Sequence, residues 1–416
     1  MREKPRKTSP VESGGQFLFA TGIENSYPVI EGKCGGKVRR DELESTHFYR
    51  HWREDFALLG ELGLEYLRYG PQYYRANPAH GRYDWEFADK TFEHLRRLGI
   101  VPIADLCHFG VPDWIGDFQN PDFPELFAEY AREFARRYSW VTFFTPVNEI
   151  LVCAGFSARL GWWNERLKSE KAFVTALKHM CRANLRGEEE ILKVQPGAIF
   201  VQSEATSCYH ERSPWARERA RHENERRFLS LDRSYGHRVN WEAYEYLMDN
   251  GLGREEYHWF LEHGERMRPH CIMGSDYYEG NEHWVPPEGP METAGAVFGY
   301  AILARHYFER YHLPVMLTET NNMNAEEAPD WLHHLWACVQ ELRPVAIPVM
   351  GFTWHSLLDQ VDWDTSPQED NGRQNPVGLY DLERRPRPVR QAYKDLIAEW
   401  RGQMPMEVHY GGHGFA

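Results

Sequence analysis

Two glutamates stand where a buried strand should not carry charge. Glu149 is the penultimate residue of "VTFFTPVNEI" (141–150), and Glu319 ends "PVMLTE" (314–319), each downstream of an apolar run. Burying a carboxylate without a partner is costly, so its presence there asks for a chemical reason. In a carboxylate pair the ionised member raises the pKa of the other. Such a pair can therefore hold a proton donor and a nucleophile or base together near neutral pH. Other polar or aromatic residues occupy equivalent ends of apolar runs: Arg68, His108, Asn148, Glu204, Asp276 and Trp354.

The elements that must position these residues are legible as eight short apolar runs, at 17–23, 64–70, 100–107, 141–147, 198–204, 270–276, 314–319 and 348–354. Between them lie helical patterns. One is "FYRHWREDFALLGELG", with Trp52, Phe56, Leu59 and Leu62 at three- and four-residue spacing; another is "ADKTFEHLRRLG", which stops on Gly99. Eight buried strands each followed by a helix is the count for a (β/α)₈ barrel, an α/β fold. A doubly wound sheet would open with a glycine-rich loop after its first strand, and "TGIENSYP" is not one. No linker or repeat divides the chain, so the expectation is one barrel domain over 17–402 with elaborated loops. An N-terminal extension (1–16) and a C-terminal tail (403–416) flank it. The interval 205–269 is rich in Arg, Glu and aromatics and is expected to add helices over the barrel mouth.

Barrel active sites are built at the C-terminal strand ends, which gathers the polar residues above into one ring. Strands four and seven would aim Glu149 and Glu319 at one substrate bond. That arrangement suits glycoside hydrolysis: one carboxyl protonates the leaving oxygen while the other attacks the anomeric carbon, at about 5–5.5 Å separation in retaining enzymes.

Composition narrows the partners. A net charge of -14 disfavours nucleic acid and anionic membranes, and no apolar stretch is long enough to span a bilayer. The aromatic content of 14%, with 15 Trp, suits a cleft in which sugar faces stack on rings. Seven scattered cysteines without a CxxC pair read as reduced core thiols, and 20 histidines without HExxH give no support for a metal. The basic start "MREKPRKTSP" is not followed by a secretory apolar region, so a cytoplasmic location is expected.

Eight segments in order resemble glycoside hydrolase family 1, the β-glucosidase family of the retaining (β/α)₈ clan. They are "FLFATG", "RYGPQYYRANPAHG", "HFGVPDWI", "TPVNE" (the family's T-F-N-E), "SDYY" (N-Y-Y), "LTETN" (I-T-E-N-G), "WHSLLDQVDW" (WSLLDNFEW) and "NPVGLYDLERRPRPVRQAY". The resemblance spans nearly the whole chain. It implies Glu149 as acid/base, Glu319 as nucleophile, Asn148 on the sugar 2-hydroxyl, Arg68 and Tyr278 bonded to the nucleophile, and His108 on the 3-hydroxyl. It further implies Trp354 as the floor under the ring, with Trp363 beside it, and neither a metal nor an organic cofactor. The substrate implied is a small β-glycoside or oligosaccharide cleaved in an exo mode.

Departures fall on the donor pocket. Glu24 or Asn25 stands where the family has a Gln, and Asp362 replaces the Glu of "NFEW", about 1.5 Å shorter in reach. Asp276 replaces the Asn of "N-Y-Y" and is expected to modulate the pH optimum unless a base such as His283 pairs with it. Because "VDW" keeps an acid and lacks Ser and Lys, a 6-phospho-sugar is disfavoured. Glu204 has no role in the resemblance and reads as structural. Two other readings stay open at this stage: a non-catalytic sugar-binding barrel, and an endo-acting glycanase or transglycosidase of the same clan.

Overall fold

The computed structural model describes residues 17–33 and 35–404. The expected N-terminal extension (1–16) and residues 405–416 of the expected tail lie outside the described residues. Eight strands close a barrel: β1 Leu18–Gly22, β2 Tyr66–Arg68, β3 Val101–Asp105, β4 Phe143–Thr145, β5 Ile199–Gln202, β6 Cys271–Asp276, β7 Val315–Glu319 and β8 Val349–Trp354. Each pairs in parallel with its sequence neighbours, and β1 closes on β8. Every expected apolar run contains one of these strands. The second, fourth and fifth are the shortest relative to their runs, and beyond their ends the backbone still bonds to the neighbouring segment, as in Tyr69 N to Ile103 O (3.1 Å), Asn148 N to Cys107 O (3.0 Å) and Asp276 N to Glu204 O (3.0 Å).

The strands are apolar on both faces because both are covered. Leu18, Ala20, Ile103, Val201, Ile272, Met316 and Met350 fill the barrel interior. Outside, the helix Phe48–Leu62 buries Phe48, Trp52, Phe56, Leu59 and Leu62 against the sheet and ends at Gly63, whose φ of 74° is the left-handed conformation a glycine adopts freely. Each such fully buried side chain stabilises the fold by roughly 1.5–3 kcal/mol. The helix Glu86–Leu98 stops at Gly99 in the same way.

Strand register levels the mouth. Arg68 lies beside Gly22, Asp105 beside Thr145, and Asp276 beside Glu319. The β6–β7 ladder shifts register between Leu317 and Glu319, an irregularity of the kind that re-aims a side chain near a site.

The 205–269 interval divides in two, which corrects the expectation that it covers the mouth. The helix Arg217–Arg226 does border the mouth. The helix Arg254–Met267 instead packs along the outer helix Glu170–Val194, tied to it by Lys178–Glu256 (3.0 Å) and His263–Glu189 (2.5 Å). Its apolar face (Tyr257, Phe260, Met267) is matched by apolar surface on the flank, not by the polar rim. Among the described residues six cysteines are free and buried, and no helix is long and apolar enough to cross a membrane.

Candidate active site

At the C-terminal mouth is a cavity of about 700 Å³ whose lining includes Glu24, His108, Glu149, Tyr278, Glu319 and Trp363. Glu319, at the end of β7, has both oxygens engaged. Arg68 donates to Oε1, and the Tyr278 hydroxyl donates to Oε2 at 2.8 Å. Arg68 is 1% exposed and is fixed from behind, donating to Asp105 Oδ2 (2.9 Å) and Asn148 Oδ1 (2.5 Å). The same Asp105 oxygen lies 2.7 Å from His108 Nδ1, and Asn148 Nδ2 lies 3.1 Å from His108 Nε2. The nucleophile candidate is thus oriented by a chain of buried partners running through three strand ends.

Glu149 is placed differently. Its backbone, at φ 37° and ψ 61°, turns the chain from β4 into the short helix Ile150–Ala154, and its N–H donates to Ser203 O at 3.0 Å. Left-handed backbone at a non-glycine residue is strained and clusters at functional sites. Among the described residues no group donates to its carboxyl, which faces the cavity. Burial pushes its pKa well above the carboxylate range, the acids Asp276, Glu319 and Glu204 push it further when ionised, and Arg68 only partly opposes them. These influences favour the protonated form of Glu149.

Two neighbouring acids have structural partners. Glu204 accepts from the backbone N–H of Leu151 (3.1 Å) and of Ala205 (3.3 Å), capping the helix that follows Glu149; burial raises its pKa to about 7. Asp276 accepts from Ser203 Oγ (2.8 and 2.7 Å) and Thr318 Oγ1 (2.6 Å). His283 is not its partner, for that ring stacks on Tyr209 at 5.1 Å. Burial, then Glu319, raises the Asp276 pKa well above the usual range.

After β1, the lining residue is Glu24, not Asn25. Its Oε2 lies 2.9 Å from His355 Nε2, and its Oε1 accepts from Ser26 N (3.1 Å) and faces His108 Nε2 (3.4 Å). Burial alone would raise the Glu24 pKa, but His108, His355 and Ser26 outweigh it and hold the group at about 2. Burial likewise depresses His108, and Asp105 and Glu24 more than offset it, so its pKa is raised.

Two expected sugar contacts are placed elsewhere. Trp354 is fully buried with Nε1 donating to Val377 O at 3.0 Å, and it does not line the cavity. "WHSLLD" has one residue more than WSLLD between tryptophan and serine, and that residue, His355, is the one that reaches Glu24. Asp362 is also outside the lining. It accepts from Arg40 (3.1 Å) and from the backbone N–H of Asn371 (2.9 Å), Gly372 (2.9 Å) and Arg373 (2.8 Å), so its oxygens organise their own loop. Sequence reading missed Asp105, although an acid inside the apolar run "IVPIADLC" is the same signal that marks Glu149.

A cluster outside the cavity, Cys208, His210 and Glu282, has donor atoms within 4.8 Å of one another. Glu282 is already saturated by His210 (2.6 Å), the Tyr277 hydroxyl (2.9 Å) and the N–H groups of Phe298 and Gly299 (2.9 Å each), so a metal would have to displace them.

A closed parallel (β/α)₈ barrel with a fully partnered carboxylate and an unpartnered one of raised pKa in the same mouth is the arrangement of the barrel glycosidases. The chain belongs to glycosyl hydrolase family 1, whose family model matches residues 27–268. Among solved structures it is similar to the β-glucosidase from Thermotoga maritima in complex with azafagomine, with a TM-score of 0.75 at 17% identity over 95% of this chain and 100% of that one. The same enzyme in complex with deoxynojirimycin gives 0.74 at 17% identity over 92% and 97%. Among curated relatives, the 6-phospho-β-glucosidase AscB of Escherichia coli is 30% identical over 125 residues, 26% of this chain and 26% of the relative. Myrosinase 1 of Brevicoryne brassicae is 24% identical over 45% of this chain and 42% of its own length. Thus the chain spans less than half of these two relatives. Beta-glucosidase A of Thermotoga maritima is 21% identical over 85% of this chain and 86% of its own.

Proposed function

We propose that the protein is an exo-acting retaining β-glycosidase. The observation that carries this reading is the asymmetry of the two glutamates: Glu319 has donors on both oxygens, whereas Glu149 in the same cavity has none among the described residues and its pKa is raised by burial and neighbouring acids. Glu319 attacks the anomeric carbon as Glu149 gives its proton to the leaving oxygen, forming a glycosyl-enzyme. Glu149, now a base, then takes a proton from the water that releases the sugar. Arg68 and Tyr278 keep the nucleophile aimed, and Asn148, locked between Arg68 and His108, presents its amide beside it. The donor sugar lies toward Glu24, His108, Gln360 and Trp363. Glu24 is ionised there, which disfavours a phosphorylated or uronic sugar and supports a neutral hexose or deoxyhexose.

The test is hydrolysis of aryl β-glucoside, galactoside, fucoside, mannoside, xyloside and glucuronide by the wild type, Glu149→Ala and Glu319→Ala, with product configuration followed by NMR. The expected result is a first product of β configuration, and activity lost in Glu319→Ala. Azide should restore Glu149→Ala through a β-glycosyl azide. An α first product, or full turnover by Glu319→Ala, would refute the assignment.

A further inference from the structure

The wall of the cavity on the Glu149 side comes from the segments that follow β4, β5 and β6. Leu151, Val152, Phe156, Leu160, Trp162 and Phe173 make it apolar. Three arginines interrupt this surface, and two of them are neutralised. Arg159 pairs with Glu170 (2.9 Å) and Glu223 (3.2 Å), and Arg226 pairs with Glu223 (3.1 Å).

Arg227 is different. It is 7% exposed and lines the cavity, yet no carboxylate lies within ion-pair distance among the described residues. Nη1 donates to Ser207 O at 2.5 Å, the guanidinium also hydrogen-bonds the Cys208 thiol, and Nε is buried without a partner among the described residues. The guanidinium is held in place by the rings of Phe228 (4.6 Å) and Tyr307 (5.6 Å). A buried, always-charged group left without a counter-ion is costly unless a ligand supplies one. Glu279, also on the lining, is by contrast solvent-exposed at the rim, where water and salt screen it.

We propose that Arg227 forms a subsite for a carboxylate on the leaving group, so that the favoured substrates are β-glycosides of apolar or aromatic aglycones carrying a carboxylate. This rests on the reading above that Glu149 marks the leaving-group side. The apolar wall takes the ring or chain, and the guanidinium fork takes the two carboxylate oxygens, a geometry that a planar cation matches better than an ammonium.

The experiment compares phenyl and 3-carboxyphenyl 1-thio-β-glucosides, and the matching galactosides, by calorimetry with the wild type, Arg227→Met and Arg227→Lys. Met retains the apolar stem that packs on Phe228, and a thermal melt checks that each variant is folded. The wild type should bind the carboxylated compound at least tenfold tighter than the neutral one. Arg227→Met should bind the two equally, and Arg227→Lys should recover part of the preference. Equal affinity in the wild type, a preference that survives Arg227→Met, or binding of neither compound would overturn the proposal. Turnover of the corresponding O-glycosides is measured in parallel. A preference without turnover would refute the hydrolase reading and leave the subsite standing; turnover without a preference would do the reverse.

Discussion

Tyr278→Phe removes one oxygen and one hydrogen bond, that to Glu319 Oε2 at 2.8 Å. A hydrogen bond to a charged group contributes about 1.5–3 kcal/mol. It is strongest when Glu319 is a full carboxylate and weakest in the glycosyl-enzyme, where that charge has been spent on the new bond. Its loss therefore destabilises the free enzyme more than the covalent intermediate. Glycosylation starts from the weakened carboxylate and is largely spared, whereas deglycosylation must regenerate it without help. If half of the bond is re-formed at the second transition state, roughly 0.8–1.5 kcal/mol is lost there, a slowing of roughly 4- to 12-fold. Arg68 still holds Oε1, so orientation is kept. Stopped-flow release of dinitrophenol should show a burst of one equivalent, and intact-mass measurement should show the glycosylated protein accumulating. A variant in which kcat and kcat/KM fall equally, with no burst, would refute this charge-based account and leave Tyr278 a purely geometric role.

Asp276→Asn removes a neighbour that raises the Glu149 pKa when it is ionised, so the basic limb of the kcat/KM profile should move to lower pH; an unmoved limb would show that Asp276, whose own pKa burial and Glu319 raise, stays protonated there. Gly22→Ala would place a Cβ 2.1 Å from His355 Nδ1, and overpacking of this kind costs about 1–3 kcal/mol. Adding His355→Ala should restore most of that loss, as read by denaturant melts of the double-mutant cycle. Asp105→Ala leaves Arg68 and His108 without their shared acceptor and should destabilise by about 3–5 kcal/mol, the usual result of breaking a buried pair from one side. Glu24 has a folded pKa of about 2 against 4.5 unpaired, so its contribution is full above pH 4.5 and lost as pH falls toward 2; the stability gap between wild type and Glu24→Gln should close over that window.

The strands were readable because barrel strands are covered on both faces and appear as continuous apolar runs, against which Glu149 and Glu319 stand out. The residues behind them were harder to see. Alternate side chains of a strand face opposite ways, so one extra residue in "WHSLLD" decides whether Trp354 or His355 points toward Glu24, and composition cannot show it. Asp362 was misplaced because its role is set by three backbone N–H groups of the 371–373 loop, which any sequence could supply. The 205–269 interval was recognised as helical but not divided, since only packing separates the helix that borders the cavity from the one on the flank.

The conformation of Glu149 has a consequence for anyone who evolves this protein in the laboratory. One position combines a left-handed backbone with a buried acid whose carboxyl accepts from no group among the described residues. Glycine there would relieve both penalties at once. A library ranked by heat resistance alone should thus enrich Glu149→Gly, and its most durable winners would be catalytically silent. Turnover has to be part of the screen from the first round, because at this codon durability and chemistry pull in opposite directions.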